Sequence, residues 1–237
     1  MLIERIRAHR FKEGPGVTEP VPKTGFRRFF FLLATHPWKL IGLNLLFVLF
    51  SLPLVTLPAA LCGMNRVCIR LVREGVTSVF SDFFEEFKSS LFKSLLFGVL
   101  FGAMLLDSCI FLNISRGVAT PAASSVFLGI ALFLFFAADL LAQYCFVLCA
   151  MLPLKNRDIF KNAVCLIALE KRASLFSLAV TLSMQAALVL FFPYTLPILL
   201  FIGPAVLQLA VCTAINAPTQ KHIIEPYEQQ RKSPVSP

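Results

Sequence analysis

The sequence predicts an all-α, polytopic membrane protein with five hydrophobic segments and amphipathic helices at the membrane interface. Three observations carry that prediction. Of 237 residues, 57% are hydrophobic and only 15% charged, whereas a soluble domain is about half apolar and about a quarter charged. The few charges are spread so unevenly that long runs contain one or none. Those runs are continuous and rich in Leu, Ala and Phe, without the roughly ten-residue alternating stretches of a membrane barrel. Helices satisfy their own backbone hydrogen bonds, which lipid cannot do. This composition, with a mean hydropathy of +0.79, excludes a disordered chain, a disulfide scaffold and almost every soluble enzyme fold.

Residues 1–25 read as a flexible basic tail, polar and interrupted at Glu13-Gly14-Pro15-Gly16. A single membrane domain is expected over 26–217. Its first string, Phe26-Arg27-Arg28-Phe29-Phe30-Phe31, is only faintly like a twin-arginine export signal. The apolar stretch behind it ends at Ala34 and no small-residue cleavage site follows. A basic, aromatic collar at the membrane surface is the plainer reading, with Trp38 as an interface anchor.

The first segment, about 38–64, contains the charge-free run Leu40 to Met64. It is long enough to cross, since about 20 apolar helical residues span the hydrocarbon core. It also carries Ser51-Leu52-Pro53-Leu54-Val55-Thr56-Leu57-Pro58, where Pro53 and Pro58 are candidate helix breaks. Two readings stay open: a proline-kinked full span, or a re-entrant segment that returns to the side it entered. Lys and Arg favour the cytoplasmic side of short loops. If all five segments cross, the 22 basic residues divide 13 to 9; if the first re-enters, they divide 21 to 1 with both termini cytoplasmic.

Next come Phe80, Phe83, Phe84, Phe87, Leu91 and Leu95, which share one helical face opposite Asp82, Glu85, Glu86, Lys88 and Lys93. An amphipathic helix over 78–93 is expected to lie in the interface and turn into the second span, with Asp82 as its cap. A weaker version of this pattern occupies Asp158 to Leu169. The second segment, about 94–115, is interrupted only by Asp107, and the third, about 121–153, only by Asp139. Ala173 to Gln220 has no charge and would be about 72 Å long as one helix, so it must fold back. Phe192-Pro193-Tyr194-Thr195-Leu196-Pro197 supplies the turn between segments at about 173–192 and 196–217. Residues 218–237 read as a disordered tail.

Several of these stretches resemble the YesL-like family of bacterial integral membrane proteins. They are Asn44-Leu45-Leu46-Phe47, Ser51-Leu52-Pro53-Leu54-Val55-Thr56, Arg70-Leu71-Val72-Arg73-Glu74, and Asp82-Phe83-Phe84 with Phe87-Lys88. The stretch Tyr144 to Leu169, with Asn162-Ala163, is similar to the middle portion of that family. Leu57-Pro58 stands where the family pattern places a glycine. The resemblance spans roughly 26–217 and implies a multi-pass protein of the bacterial cytoplasmic membrane with no established catalytic residues. Because members are often encoded near carbohydrate importers, it further implies, by association, a role beside ABC-type sugar permease subunits.

The chemistry within the spans centres on two acids. A charge at mid-membrane costs about 2.5–3.5 kcal/mol on insertion scales, so Asp107 and Asp139 are expected to avoid lipid. Gln143 follows Asp139 on the same helical face, and Asn44, Gln185 and Gln208 place one amide in each remaining segment. These six residues form a candidate polar site, read either as a solute or proton path or as interhelical packing through hydrogen bonds. Gly203-Pro204 in the last segment is a further candidate break. The seven cysteines contain no C-x-x-C and have no histidine at metal spacing. No nucleophile elbow, phosphate loop or zinc-protease motif occurs, so no cofactor, metal or enzymatic reaction is expected. The basic residues fit anionic headgroups of the lipid bilayer rather than nucleic acid. An accessory or regulatory partner of a carbohydrate transporter is the leading expectation, and a small-solute transporter running past Asp107, Asp139 and Gln143 is the alternative.

Overall fold

A computed structural model describes residues 25–232, and every regular element among them is helical. The order is α1 (Gly25–Thr35), α2 (Pro37–Ser51), α3 (Leu57–Glu74), α4 (Val79–Gly117), α5 (Pro121–Met151), α6 (Asn156–Leu169), α7 (Lys171–Leu190), α8 (Leu196–Phe201) and α9 (Gly203–Thr219). A π-helical turn, Gln220–Ile224, then leads into α10 (Glu225–Lys232). Proline opens five of these helices, at Pro37, Pro58, Pro121, Pro197 and Pro204. A missing amide costs nothing there, because the first turn has no acceptor for it. Gly75, at φ +74°, closes α3 with its amide 3.1 Å from the Leu71 carbonyl, a left-handed cap that favours glycine.

Three hairpins build the molecule: α2 with α3, α4 with α5, and α7 with α9. The first folds the proline-rich segment back on itself. Lys39 Nζ donates to the Thr77 carbonyl at 3.3 Å, and a ring nitrogen of His36 lies 3.1 Å from the Gly75 carbonyl. Arg28 donates to the carbonyls of Val72 and Leu71 at 3.0 and 3.2 Å. The start of α2 and the end of α3 therefore lie side by side, and the tip at Leu52–Val55 is exposed and apolar. Its Thr56 hydroxyl donates to the Phe50 carbonyl at 2.7 Å, answering one group that the break leaves over.

The same end gathers the other basic loops. Arg66 donates to the Ala150 carbonyl at 3.1 Å, and Asn156 donates to the Lys93 carbonyl at 3.1 Å. Arg73 Nε donates to Asn216 Oδ1 at 2.7 Å. The carboxylate of Glu170 accepts from His222 at 2.8 Å and Lys221 at 3.4 Å, and these two partners hold it below the usual carboxylate range. Arg116 stands at the opposite end, where α4 gives way to α5. The core between the hairpins is aromatic and aliphatic. Phe50 meets Phe83, Phe84 and Phe87 with ring centroids 5.0–6.0 Å apart, and Phe97 and Phe101 meet Phe146.

Three helices are long and apolar enough to cross a membrane: α4, α5 and α7. The pair α1–α2, bent by 86° at His36, makes up to four. The sequence-based count of five reads α2 with the start of α3 as one segment and α8 with α9 as another, and each of these is broken. Two further differences concern helix continuity. The expected amphipathic helix 78–93 does not turn into a separate span, because it is the first part of an unbroken 39-residue α4. At a rise of about 1.5 Å per residue, α4 is about 58 Å long, nearly twice the about 30 Å hydrocarbon core. No glycine or proline interrupts it before Gly98, and the aromatic stripe at Phe83 and Phe87 is buried against the first hairpin. Asp82 is not the cap residue. Ser78 is, and the Asp82 carboxylate reaches back to accept from the Ser78 amide at 3.1 Å.

The expected disordered tail is helical from Pro218 to Lys232. The tail over residues 1–24 and the final residues 233–237 lie outside the described residues.

Gly98 seats the first hairpin on α4. A Cβ there would lie 2.3 Å from Cγ of Pro58, and the rigid ring cannot turn away. Gly98→Ala is expected to cost about 1–3 kcal/mol, as overpacking does, seen as a lower apparent Tm in detergent. Gly102→Ala has open space around the added methyl and is expected to leave Tm unchanged or slightly raised. Equal Tm values for both variants would contradict this contact.

Candidate functional site

The six polar residues picked from the sequence fall into separate places. Asp139, Gln143 and Gln185 come together between α5 and α7. Gln143 Nε2 donates to Asp139 Oδ2 at 2.8 Å, one helical turn away, and Gln185 Nε2 donates to Asp139 Oδ1 at 3.2 Å. The Ser177 hydroxyl donates to Gln143 Oε1, and the Thr181 hydroxyl donates to the Ser177 carbonyl at 2.9 Å. One turn nearer the basic end, the Tyr144 and Ser174 hydroxyls are 2.9 Å apart. Within this ladder, Gln185 Oε1 is buried and has no partner among the described residues.

Asn44 sits elsewhere, wholly buried against the break between α8 and α9. Its Nδ2 donates to the Leu200 carbonyl at 2.7 Å and its Oδ1 accepts from the Ala205 amide at 3.0 Å. It thus answers one group on each side of Ile202, whose backbone (φ −148°, ψ −23°) interrupts the helix. Gly203 and Pro204 lie directly after this break, and a Cβ on Gly203 would meet Met184 Cε at 2.6 Å. Gln208, one helical turn further along α9, donates to Asn65 Oδ1 on α3. Pro53 lies in the exposed tip of the first hairpin, while Pro58 is buried at the start of α3.

Asp107 joins none of these groups. It is exposed on the outer face of α4 and makes no polar contact among the described residues. Of the two acids, Asp139 is partly buried between α5 and α7, and Asp107 faces outward. The difference is the neighbouring helix. α7 packs against α5, whereas α4 packs against the first hairpin, whose Pro58 lies at Gly98, so the outer part of α4 that carries Asp107 has α5 as its packed neighbour.

Two residues matter here that the sequence reading passed over. Asn65, wholly buried, follows immediately on the charge-free run ending at Met64, and with Arg66 beside it reads as a loop. Ser177 belongs to the set Ser174, Ser177, Thr181 and Gln185, whose spacing of three or four residues marks one face of α7. That polar stripe was available as a signal.

An open cleft of about 460 Å³ lies at the basic end. Its polar wall carries Arg66 from α3 and Glu86, Ser89, Ser90 and Lys93 from α4. Its other wall is Cys149 to Leu154 with Ile159. Arg66, Glu86 and Lys93 form no ion pair with one another or with any other described residue. No group of three or more His, Cys, Asp or Glu positioned to share a metal ion occurs among the described residues.

Long apolar helices, self-bonded polar clusters between them and charges collected at one end define a multi-pass helical membrane protein. Residues 40–113, which run from α2 through most of α4, match the model of a family described as protein of unknown function, DUF624, of which YesL-like proteins are members. No curated protein and no solved structure matches the chain.

Proposed function

We propose that this chain is a non-enzymatic accessory or regulatory subunit of a carbohydrate transport system in the bacterial cytoplasmic membrane. The observation that carries the reading is how its buried polar groups are used. Asp139 Oδ1, Gln143 Oε1, the Asn44 amide and the Gln208 side chain are bonded to neighbouring helices, and Asp139 Oδ2 is taken by Gln143 on its own helix. A solute path needs such groups turned toward a wet cavity, whereas these act as packing between helices. The carbohydrate part rests on the YesL-like resemblance, as does the choice of ABC-type permease subunits as partners.

In this reading the basic end faces the cytoplasm with the C-terminus. The α2–α3 hairpin enters the membrane and returns, and the crossings are α4, α5, α7 and the broken α8–α9. Among the described residues Arg116 is the one basic residue at the far end, which supports that orientation. Cysteines introduced at Val76 or Ser78 are expected to resist an impermeant thiol reagent added from outside; external labelling there would refute the re-entrant hairpin. The function is tested by purifying the chain from its native membrane. Permease subunits that co-purify, with no sugar flux in vesicles containing this chain alone, support the accessory role.

A small-solute transporter past Asp107, Asp139 and Gln143 is the second reading. It is favoured by the unpartnered Gln185 Oε1 and by the helix break at Ile202, since broken helices recur at transporter sites. Asp139→Asn separates the two. Gln143 cannot reverse its amide, because Ser177 holds its Oε1, but Gln185 can turn its free Oε1 toward the new Asn donor. The substitution is expected to change stability by less than about 1 kcal/mol and to leave growth on sugars near wild type, as is Asp107→Asn. Saturable flux by the wild type that is lost in Asp139→Asn would establish the transporter instead.

A further inference from the structure

We propose that the cleft at Arg66, Glu86 and Lys93 binds a phosphoethanolamine group, presented by a membrane phospholipid. The argument is independent of the transport reading and begins with charge. Two cations and one carboxylate face a single cleft of about 460 Å³, within the usual range for small-molecule sites of about 300–1,000 Å³. None of the three forms an ion pair among the described residues. Arg66 is fixed at the wall by its bond to the Ala150 carbonyl, and Ser90, almost fully buried, is fixed by its bond to the Glu86 carbonyl.

A bare phosphodiester would satisfy Arg66 and Lys93, since charge-assisted bonds to phosphate oxygens are the strong ones, but it would leave Glu86 facing an anion. A phosphate carrying an ammonium a few ångströms away answers all three. A choline headgroup offers Glu86 no N–H donor, and a glycerol headgroup offers no cation.

Depth and polarity choose the lipid as source over a soluble phosphoester. Lys93 is the last charge before the run that begins at Ser94, so the cleft opens where the polar part of α4 meets its apolar part. The wall opposite the charges is apolar, built from Met151, Leu152, Pro153, Leu154 and Ile159. A ligand that is ionic on one side and apolar on the other suits both walls.

The test uses the full chain in detergent with equal amounts of phosphatidylethanolamine, phosphatidylglycerol and phosphatidylcholine, scoring retained lipid by native mass spectrometry. The wild type is expected to retain phosphatidylethanolamine preferentially. Lys93→Gln is expected to weaken that retention about tenfold, as loss of one charge-assisted bond implies. Lys88→Gln, on the same helix outside the cleft, is expected to leave it unchanged. Glu86→Gln is expected to abolish the preference for phosphatidylethanolamine over phosphatidylglycerol without abolishing binding, and this ratio needs only folded protein. Equal retention of the three lipids by the wild type, or unchanged retention in Lys93→Gln, would overturn the proposal. Glycerophosphoethanolamine is the soluble competitor. Its failure to displace lipid supports the membrane source, and full displacement at matched concentration overturns that source.

Discussion

Asn44→Ala is expected to destabilise the protein by about 2–5 kcal/mol, although it removes only a short side chain. The cost comes from what Asn44 bonds rather than from its volume. The helix break at Ile202 frees the Leu200 carbonyl and the Ala205 amide, and Asn44 satisfies both from across the interface. Pro204 contributes no amide, and the opening turn of α9 has no intrahelical acceptors for its donors. Each backbone group left buried and unpaired costs about 1–3 kcal/mol, and no water in the hydrocarbon region can replace the lost partner. Asn44→Asp keeps the acceptor for Ala205 but loses the donor to Leu200, so it is expected to be destabilising as well. The measurement is apparent Tm in detergent together with hydrogen exchange over residues 200–206, which is expected to accelerate in Asn44→Ala. An unchanged Tm with unchanged exchange would show that the break is held by something other than Asn44.

This coupling shows what a linear reading can and cannot reach. Where the chain must turn is written in single residues: Pro53 and Pro58 at the first tip, Pro193 and Pro197 at the last, Gly75 after α3. Where charge stops is equally plain, and the collection of basic loops at one end follows from it. Helix continuity is harder. The charges between Asp82 and Lys93 resemble those of a helix lying flat in the interface, yet nothing in Val79–Gly117 breaks the backbone, and α4 runs through. The tail after Pro218 has the composition of a disordered segment, but His222 and Lys221 engage Glu170 and hold its first turn against the α6–α7 corner.

The polar site was readable as a set of residue types and not as a set of partners. Pairing depends on how each helix is rotated and slid against the next, and local spacing does not specify that. Asp107 and Asp139 have similar surroundings in the sequence. Asp139 is on α5, which packs against α7 and its Gln185, and Asp107 is on the outward face of α4, which does not. The contact of Gln143 with Asp139, four residues apart on one helix, is the kind that spacing alone can suggest, because it needs no tertiary information.

Arg70→Ala carries the other large expected effect, at the junction that joins α3 to α4. Asp82 is almost fully buried, and its carboxylate accepts from three donors: Arg70 Nη1, the Thr77 hydroxyl at 2.7 Å and the Ser78 amide at 3.1 Å. The partners lie on α3 and within the short Gly75–Ser78 connection while Asp82 itself is in the first turn of α4, so this one carboxylate fixes the angle at which α4 leaves α3. Breaking a buried pair by removing one member costs about 3–5 kcal/mol. The Arg70 side chain is 37% exposed against 5% for Asp82, so its own desolvation is modest, and the expected loss lies near the lower figure, about 3 kcal/mol. The second contact of Arg70, to Glu74 at 3.8 Å, is an exposed helical pair worth about 0.3–0.5 kcal/mol and does not change the outcome. The charge account has a specific consequence. Adding Asp82→Asn to Arg70→Ala removes the uncompensated carboxylate while keeping an acceptor for Ser78, so the double variant is expected to be more stable than Arg70→Ala alone. A double-mutant cycle read by apparent Tm measures that coupling. If the two losses simply add, Arg70 contributes through packing of its aliphatic stem, and the buried carboxylate is not what holds α3 and α4 together.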